Sequence, residues 1–175
     1  MAQKGYTKNY LLKDFDAVNV GGIFHLKIKQ SNTYSIKFVA EKEKDLVYLD
    51  VKVRNGELSI GYDSNINRSL FGSNNRSKVN VYITMPNLES LDISGACHLD
   101  VYPFENIDKL AVDISGAAKA KLSIDAHDVD IDASIASHLE ILGWVDEINV
   151  DISGASHFKA QGADVGRAHV GCQRC

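Results

Sequence analysis

The sequence predicts an all-β protein, a β-solenoid with coils of about 20 residues. Three observations carry that expectation. Nearly the same phrase recurs as "LDISGACHLDV" at Leu91–Val101, "VDISGAAKAKL" at Val112–Leu122 and "VDISGASHFKA" at Val150–Ala160. A fourth copy, "IDASIASHLEI" at Ile131–Ile141, carries Ile135 in place of the Gly, and a fainter fifth, "VNVGGIFHLKI" at Val18–Ile28, lies upstream. Aligned on Ser94, Ser115, Ser134 and Ser153, the four clear copies are spaced by 21, 19 and 19 residues. Finally, each phrase alternates apolar and polar residues, the mark of a strand with one buried face.

The elements follow in order along the chain. In the first half, "YSIKFVA", "LDVKVRNGELSIGY" and "SKVNVYITM" all alternate, and Asn55-Gly56 is a strong turn signal. The best helical candidate is "AEKEKDLVYLDV", although Tyr48 to Val53 within it reads more like strand. This less regular part, about 10–85, is expected to continue or cap the stack. From about 90 to 162 the phrases repeat, each a strand, a Ser-Gly-Ala corner and a second strand. Gly makes a sharp corner cheap. The final segment, 163–175, does not read as a further copy and is an atypical or truncated end of what is otherwise one solenoid domain over 1–175.

A meander of hairpins competes with the solenoid. A two-residue Gly-Ala hairpin would set inward Ile93 against outward His98, which the pleat forbids. A three-residue loop restores the faces but wants its Gly last, and it sets Asp92 against Asp100. Stacked coils instead align Asp100, Lys121, Glu140 and Lys159 with alternating sign. The inner ladders then read Ile93, Ile114, Ala133, Ile152 and Leu99, Ala120, Leu139, Phe158.

Composition narrows the function classes. The chain of 175 residues is 45% hydrophobic, with net charge −4 and no run of basic residues, so nucleic acid is not an expected partner. No apolar run reaches the length of a membrane span. The opening "MAQKGYTKNYLLKDF" lacks a signal core; either the protein stays inside or a signal has been removed. The three cysteines are too few for a disulfide framework, and the Cys172/Cys175 pair beside His169 falls short of a closed zinc shell.

The repeated D-[IL]-S-G-A-[SAC]-[KH] phrase, preceded by "FDAVNVGGIFHLKIKQ", resembles the family called putative auto-transporter adhesin, head GIN domain, over about Phe15 to Gly162. That family is known mainly from Bacteroidetes. The resemblance implies a right-handed, pectin-lyase-like β-helix in an exported or cell-envelope protein with an adhesion role. It supplies no catalytic residues. Ile135 departs from the pattern, as does the missing copy near position 172.

The candidate chemistry is that of binding. Asp92, Asp113, Asp132 and Asp151 form one outward ladder that Asn19 would continue. Hard oxygen ligands suit calcium, but a solvated face or side chains capping corner amides is the simpler reading, so no metal or cofactor is assigned. His98, His138 and His157 form a second ladder, with Lys119 and His25 in equivalent places. Lys119 interrupts any continuous metal track. The one unrepeated insertion, Asp63 to Ser77, offers Arg68, Phe71 and Arg76 for a glycan or partner contact. Glycoside hydrolysis needs two carboxylates in different environments, and equivalent stacked aspartates share one. The sequence therefore reads as a non-enzymatic surface or envelope module that binds a host or bacterial glycan or protein. A polysaccharide-active enzyme and a structural protein self-associating through its edges are the alternatives.

Overall fold

A computed structural model of the chain describes residues 5–63 and 78–173, with the backbone alone at 161, 172 and 173. The described residues hold twelve strands and one short helix. The first strands are β1 (Tyr6–Tyr10), β2 (Ala17–Gly22), β3 (Phe24–Gln30) and β4 (Ser35–Ala40). The short α1 (Lys44–Val47) precedes β5 (Leu49–Arg54) and β6 (Glu57–Tyr62). The strand reading of Tyr48 to Val53 thus holds for all but its first residue. β5 and β6 form a hairpin around Asn55 (φ 52°) and Gly56 (φ 81°), two successive left-handed residues that suit the twist of paired strands. Then come β7 (Val79–Met85), β8 (Ser90–Gly95) and four long strands: β9 (His98–Gly116), β10 (Lys119–Ala133), β11 (His138–Ser153) and β12 (His157–Gln173).

The chain does not build the expected right-handed, pectin-lyase-like β-helix of uniform coils. It is all-β, but it forms one mixed sheet that curls strongly into a half-barrel, with nine strands in the order β1-β4-β7-β3-β9-β8-β2-β6-β5. Pairs β1–β4, β4–β7 and β5–β6 are antiparallel. The physical reason lies in the first half. Its strands pair antiparallel at both ends of the nine-strand order: Asn55-Gly56 turns β5 back on β6 at one end, and at the other β4 lies between β1 and β7, neither of which adjoins it along the chain. β2 and β3 alone lie parallel beside the repeated phrases, β2 on β8 and β3 on β9. β10, β11 and β12 extend the sheet from β9 in parallel. The atypical segment after Gly162 is part of β12 as far as Gln173, in register with Gly143 to Ser153.

The repeated phrase is nevertheless not a hairpin. Equivalent residues of successive copies are ladder partners: Ile93 with Ile114, Ile114 with Ala133, and Ala133 with Ile152. Leu99, Ala120, Leu139 and Phe158 pair in the same way. These inward rows join one hydrophobic core with Phe24, Phe38 and Phe104. At each corner the Ala amide donates to the carbonyl of the corner residue before it: Ala117 N to Gly95 O (3.0 Å) and Ala136 N to Gly116 O (3.1 Å). The stacking is close. A Cβ on Gly95 would meet Gly22 O at 2.4 Å, and one on Gly116 would meet Gly95 O at 2.5 Å. Both glycines have φ near +100° (97° and 102°), so the corner demands glycine for conformation and for space.

Candidate binding surface

Because ladder partners point to the same side, the repeats write rows of like side chains across the sheet. Asp92 pairs with Asp113, Asp113 with Asp132, and Asp132 with Asp151. Asn19 extends the row as expected, its Nδ2 donating to Asp92 Oδ2 at 3.4 Å. Burial, then the charges of Asp113 and Glu57, push the Asp92 carboxyl above the usual range. Among the described residues, no group of three or more His, Cys, Asp or Glu is arranged to hold a metal ion. Arg68, Phe71 and Arg76 lie outside the described residues, as does Cys175. Cys97 is a buried free thiol whose pKa burial raises, a small core side chain at its corner.

A second pair of rows crosses β3, β9, β10, β11 and β12. The first row reads His25, His98, Lys119, His138, His157. The imidazoles of His25 and His98 stack with centroids 5.3 Å apart and planes 18° off parallel, and those of His138 and His157 lie 4.8 Å apart. Two residues further along each strand the second row reads Lys27, Asp100, Lys121, Glu140, Lys159. Its signs alternate from Lys27 to Lys159, with Lys121 Nζ 3.5 Å from Glu140 Oε2. His98 Nε2 sits 4.0 Å from Asp100 Oδ1. A shallow depression of about 300 Å³ opens between the rows from His98 to Lys159. Burial, then Lys78 and His98, hold the His25 imidazole below its ordinary pKa, against a smaller opposing pull from Asp100.

Other features lie outside the repeated phrases and carry no periodic signal. Gln30 ties the segment after β7 to β9: its Nε2 donates to Pro86 O (3.2 Å) and Glu105 O (3.1 Å), and its Oε1 accepts from Glu105 N (3.0 Å). It borders a recess of about 560 Å³ with Asn87, Glu89, Phe104 and Lys109. Trp144 is 41% exposed, its backbone N–H held by Asp125 Oδ1 at 3.1 Å and its ring edge-on to His127. Gly143, in a left-handed conformation at φ 105°, turns the chain just before it.

No curated protein is significantly similar to the chain. Solved structures are. A putative adhesin from Bacteroides fragilis NCTC 9343 superimposes with a TM-score of 0.86 at 15% identity, covering 98% of this chain and 78% of that one. A putative adhesin from Parabacteroides distasonis ATCC 8503 gives 0.68 at 18% identity, over 97% and 78% of the two chains. A putative lipid binding protein from the same organism gives 0.66 at 18%, over 96% and 78%. At these identities the likeness is one of fold. A family model described as putative auto-transporter adhesin, head GIN domain, matches residues 14–173. The match spans nearly all the described residues and every copy of the repeated phrase, so the chain belongs to the putative auto-transporter adhesin, head GIN domain family.

Proposed function

We propose that the chain is a non-enzymatic binding or adhesion module of the cell surface or envelope. Family membership over residues 14–173 is the observation that carries this reading. The fold supports it: a single sheet holds rows of charged side chains at fixed spacing, a display surface that needs no moving part. Among the described residues no helix is long and apolar enough to cross a membrane.

The test is adherence. Beads coated with the chain should attach to bacterial or epithelial cell surfaces, and soluble chain should compete the attachment away. Release of reducing ends or unsaturated sugars from polysaccharides incubated with the chain would favour the enzyme instead. Self-association through sheet edges is a second reading: among the described residues β12 pairs on one side only, with β11. Its readout is a sedimentation coefficient that rises with concentration.

A further inference from the structure

We propose that the histidine and lysine rows across β3, β9, β10, β11 and β12 form a binding face for a linear acidic polysaccharide, one carrying carboxylates or sulfates, and that its grip tightens as pH falls. The inference rests on the adhesion reading and names its ligand class and site.

The argument begins with charge. The protein is acidic, at −4. Yet these two rows bring together four lysines and four histidines against two carboxylates, Asp100 and Glu140. Both carboxylates are flanked by lysines in register, Asp100 by Lys27 and Lys121, Glu140 by Lys121 and Lys159. The acidic excess is placed elsewhere, in the row from Asp92 to Asp151. Lysines and protonatable histidines thus recur about every 4.8 Å, the distance between paired strands. An extended polyanion lying across the strands meets one after another.

Shape and chemistry select the polyanion. Among the described residues, two exposed aromatic side chains flank one end of the rows: Tyr82, beside Lys27, whose Nζ lies over its ring at 5.9 Å, and Tyr102, two residues past Asp100 on β9; the rows themselves carry no aromatic ring other than imidazole. A single-stranded nucleic acid wants successive aromatic platforms, and an anionic lipid surface wants apolar side chains to bury. A polysaccharide needs neither. The face offers charge, hydrogen-bond donors and a shallow groove.

The pH dependence follows from the imidazoles. His25 is faced by His98, Lys78, Lys27 and Asp100. His98 is faced by His25, Asp100 and Lys119, and the His138–His157 pair by Lys119, Glu140 and Lys159. At His25, burial and then Lys78 and His98 disfavour imidazolium in the free protein. A bound polyanion would add negative charge beside all four imidazoles and so favour their protonated forms. The added affinity is then full below the free-state pKa and is lost as pH rises through the bound-state pKa. Each histidine raised by one unit strengthens low-pH binding about tenfold.

The experiment measures binding of the purified chain to immobilised heparin, whose sulfates stay ionised throughout, and to polygalacturonate, with dextran as the neutral control. We expect binding to both acidic polymers and not to dextran, weaker in added salt, and at least about tenfold tighter to heparin at about pH 5.5 than at about pH 7.5. Lys119→Gln with Lys121→Gln should weaken binding at both pH values. His98→Gln with His138→Gln should flatten the pH profile. Lys52→Gln, on β5 and paired with Asp50, should change neither. All these side chains are at the surface, so circular dichroism should show each variant folded. The proposal is overturned if the chain ignores both acidic polymers, if the paired variants bind like the parent, or if dextran binds as well. Stronger binding to phosphatidylserine vesicles or to single-stranded DNA would also overturn it. Cell adherence that persists without any acidic-polymer binding would sink this inference and leave the adhesion reading standing.

Discussion

Ile135 occupies the corner position that Gly95, Gly116 and Gly154 hold in the other copies, and it adopts their left-handed backbone, with φ 75°. A β-branched residue there is strained, because its Cβ crowds the backbone, at a cost of roughly 1–2 kcal/mol. Its side chain is 63% exposed, so little packing offsets that cost. Ile135→Gly should therefore raise stability by about 1 kcal/mol, read as a higher midpoint in urea unfolding. The reverse change at Gly116 should be severe. Gly116→Ala combines positive φ with a Cβ at 2.5 Å from Gly95 O, and a loss of at least about 2 kcal/mol is expected. Asp92 makes a third test. Its folded pKa lies above the unfolded value, so the native state holds the proton more tightly and its ionisation opposes folding. Stability falls as pH rises through the window that opens at the ordinary aspartate value and closes at the folded pKa. Asp92→Asn should consequently raise the melting temperature at pH 7, and the advantage should vanish below about pH 4. The amide oxygen of the substituted side chain still accepts the hydrogen bond from Asn19.

At the scale of the element, alternation in the repeated phrases was legible residue by residue. The inward rows, the Asp row and the row from Asp100 to Lys159 all stand as ladder partners at the positions the alignment implies. Leu139 shows what an inward position is worth. It is fully buried between Ala120 and Phe158, and Leu139→Ala should cost about 2–5 kcal/mol in an unfolding titration. The outward Lys121–Glu140 pair is about half exposed on both sides, and Lys121→Gln should change stability by less than about 1 kcal/mol. Elements outside the phrases were less legible. Trp144 and Gln30 owe their settings to a positive-φ glycine and to a side chain standing in for backbone, neither of which has a period.

For the whole molecule, the decisive event is the closing of a mixed sheet around one core. Local pattern shows that a strand exists and which of its faces is buried; it does not show which strand lies beside it, or in which direction. That is why a uniform β-helix was the natural extrapolation from the repeats and why the antiparallel strands of the first half overturn it. The same event creates the basic face. Along the chain Lys27, Lys121 and Lys159 are separated by tens of residues, and no basic run appears. Ladder pairing sets Lys119 between two histidines and interleaves lysines with carboxylates in the next row.

By itself the sequence determined the all-β class, the corner glycines, the inward and outward identity of each repeated position and the family, because these depend on local periodicity and on a phrase written several times. Only the tertiary structure decided the direction of the pairing, the mixed order of the strands and the meeting of distant cations on one face. Those depend on which hydrogen-bonding edges find each other when the core closes, an outcome of the whole chain's packing that no window of the sequence contains.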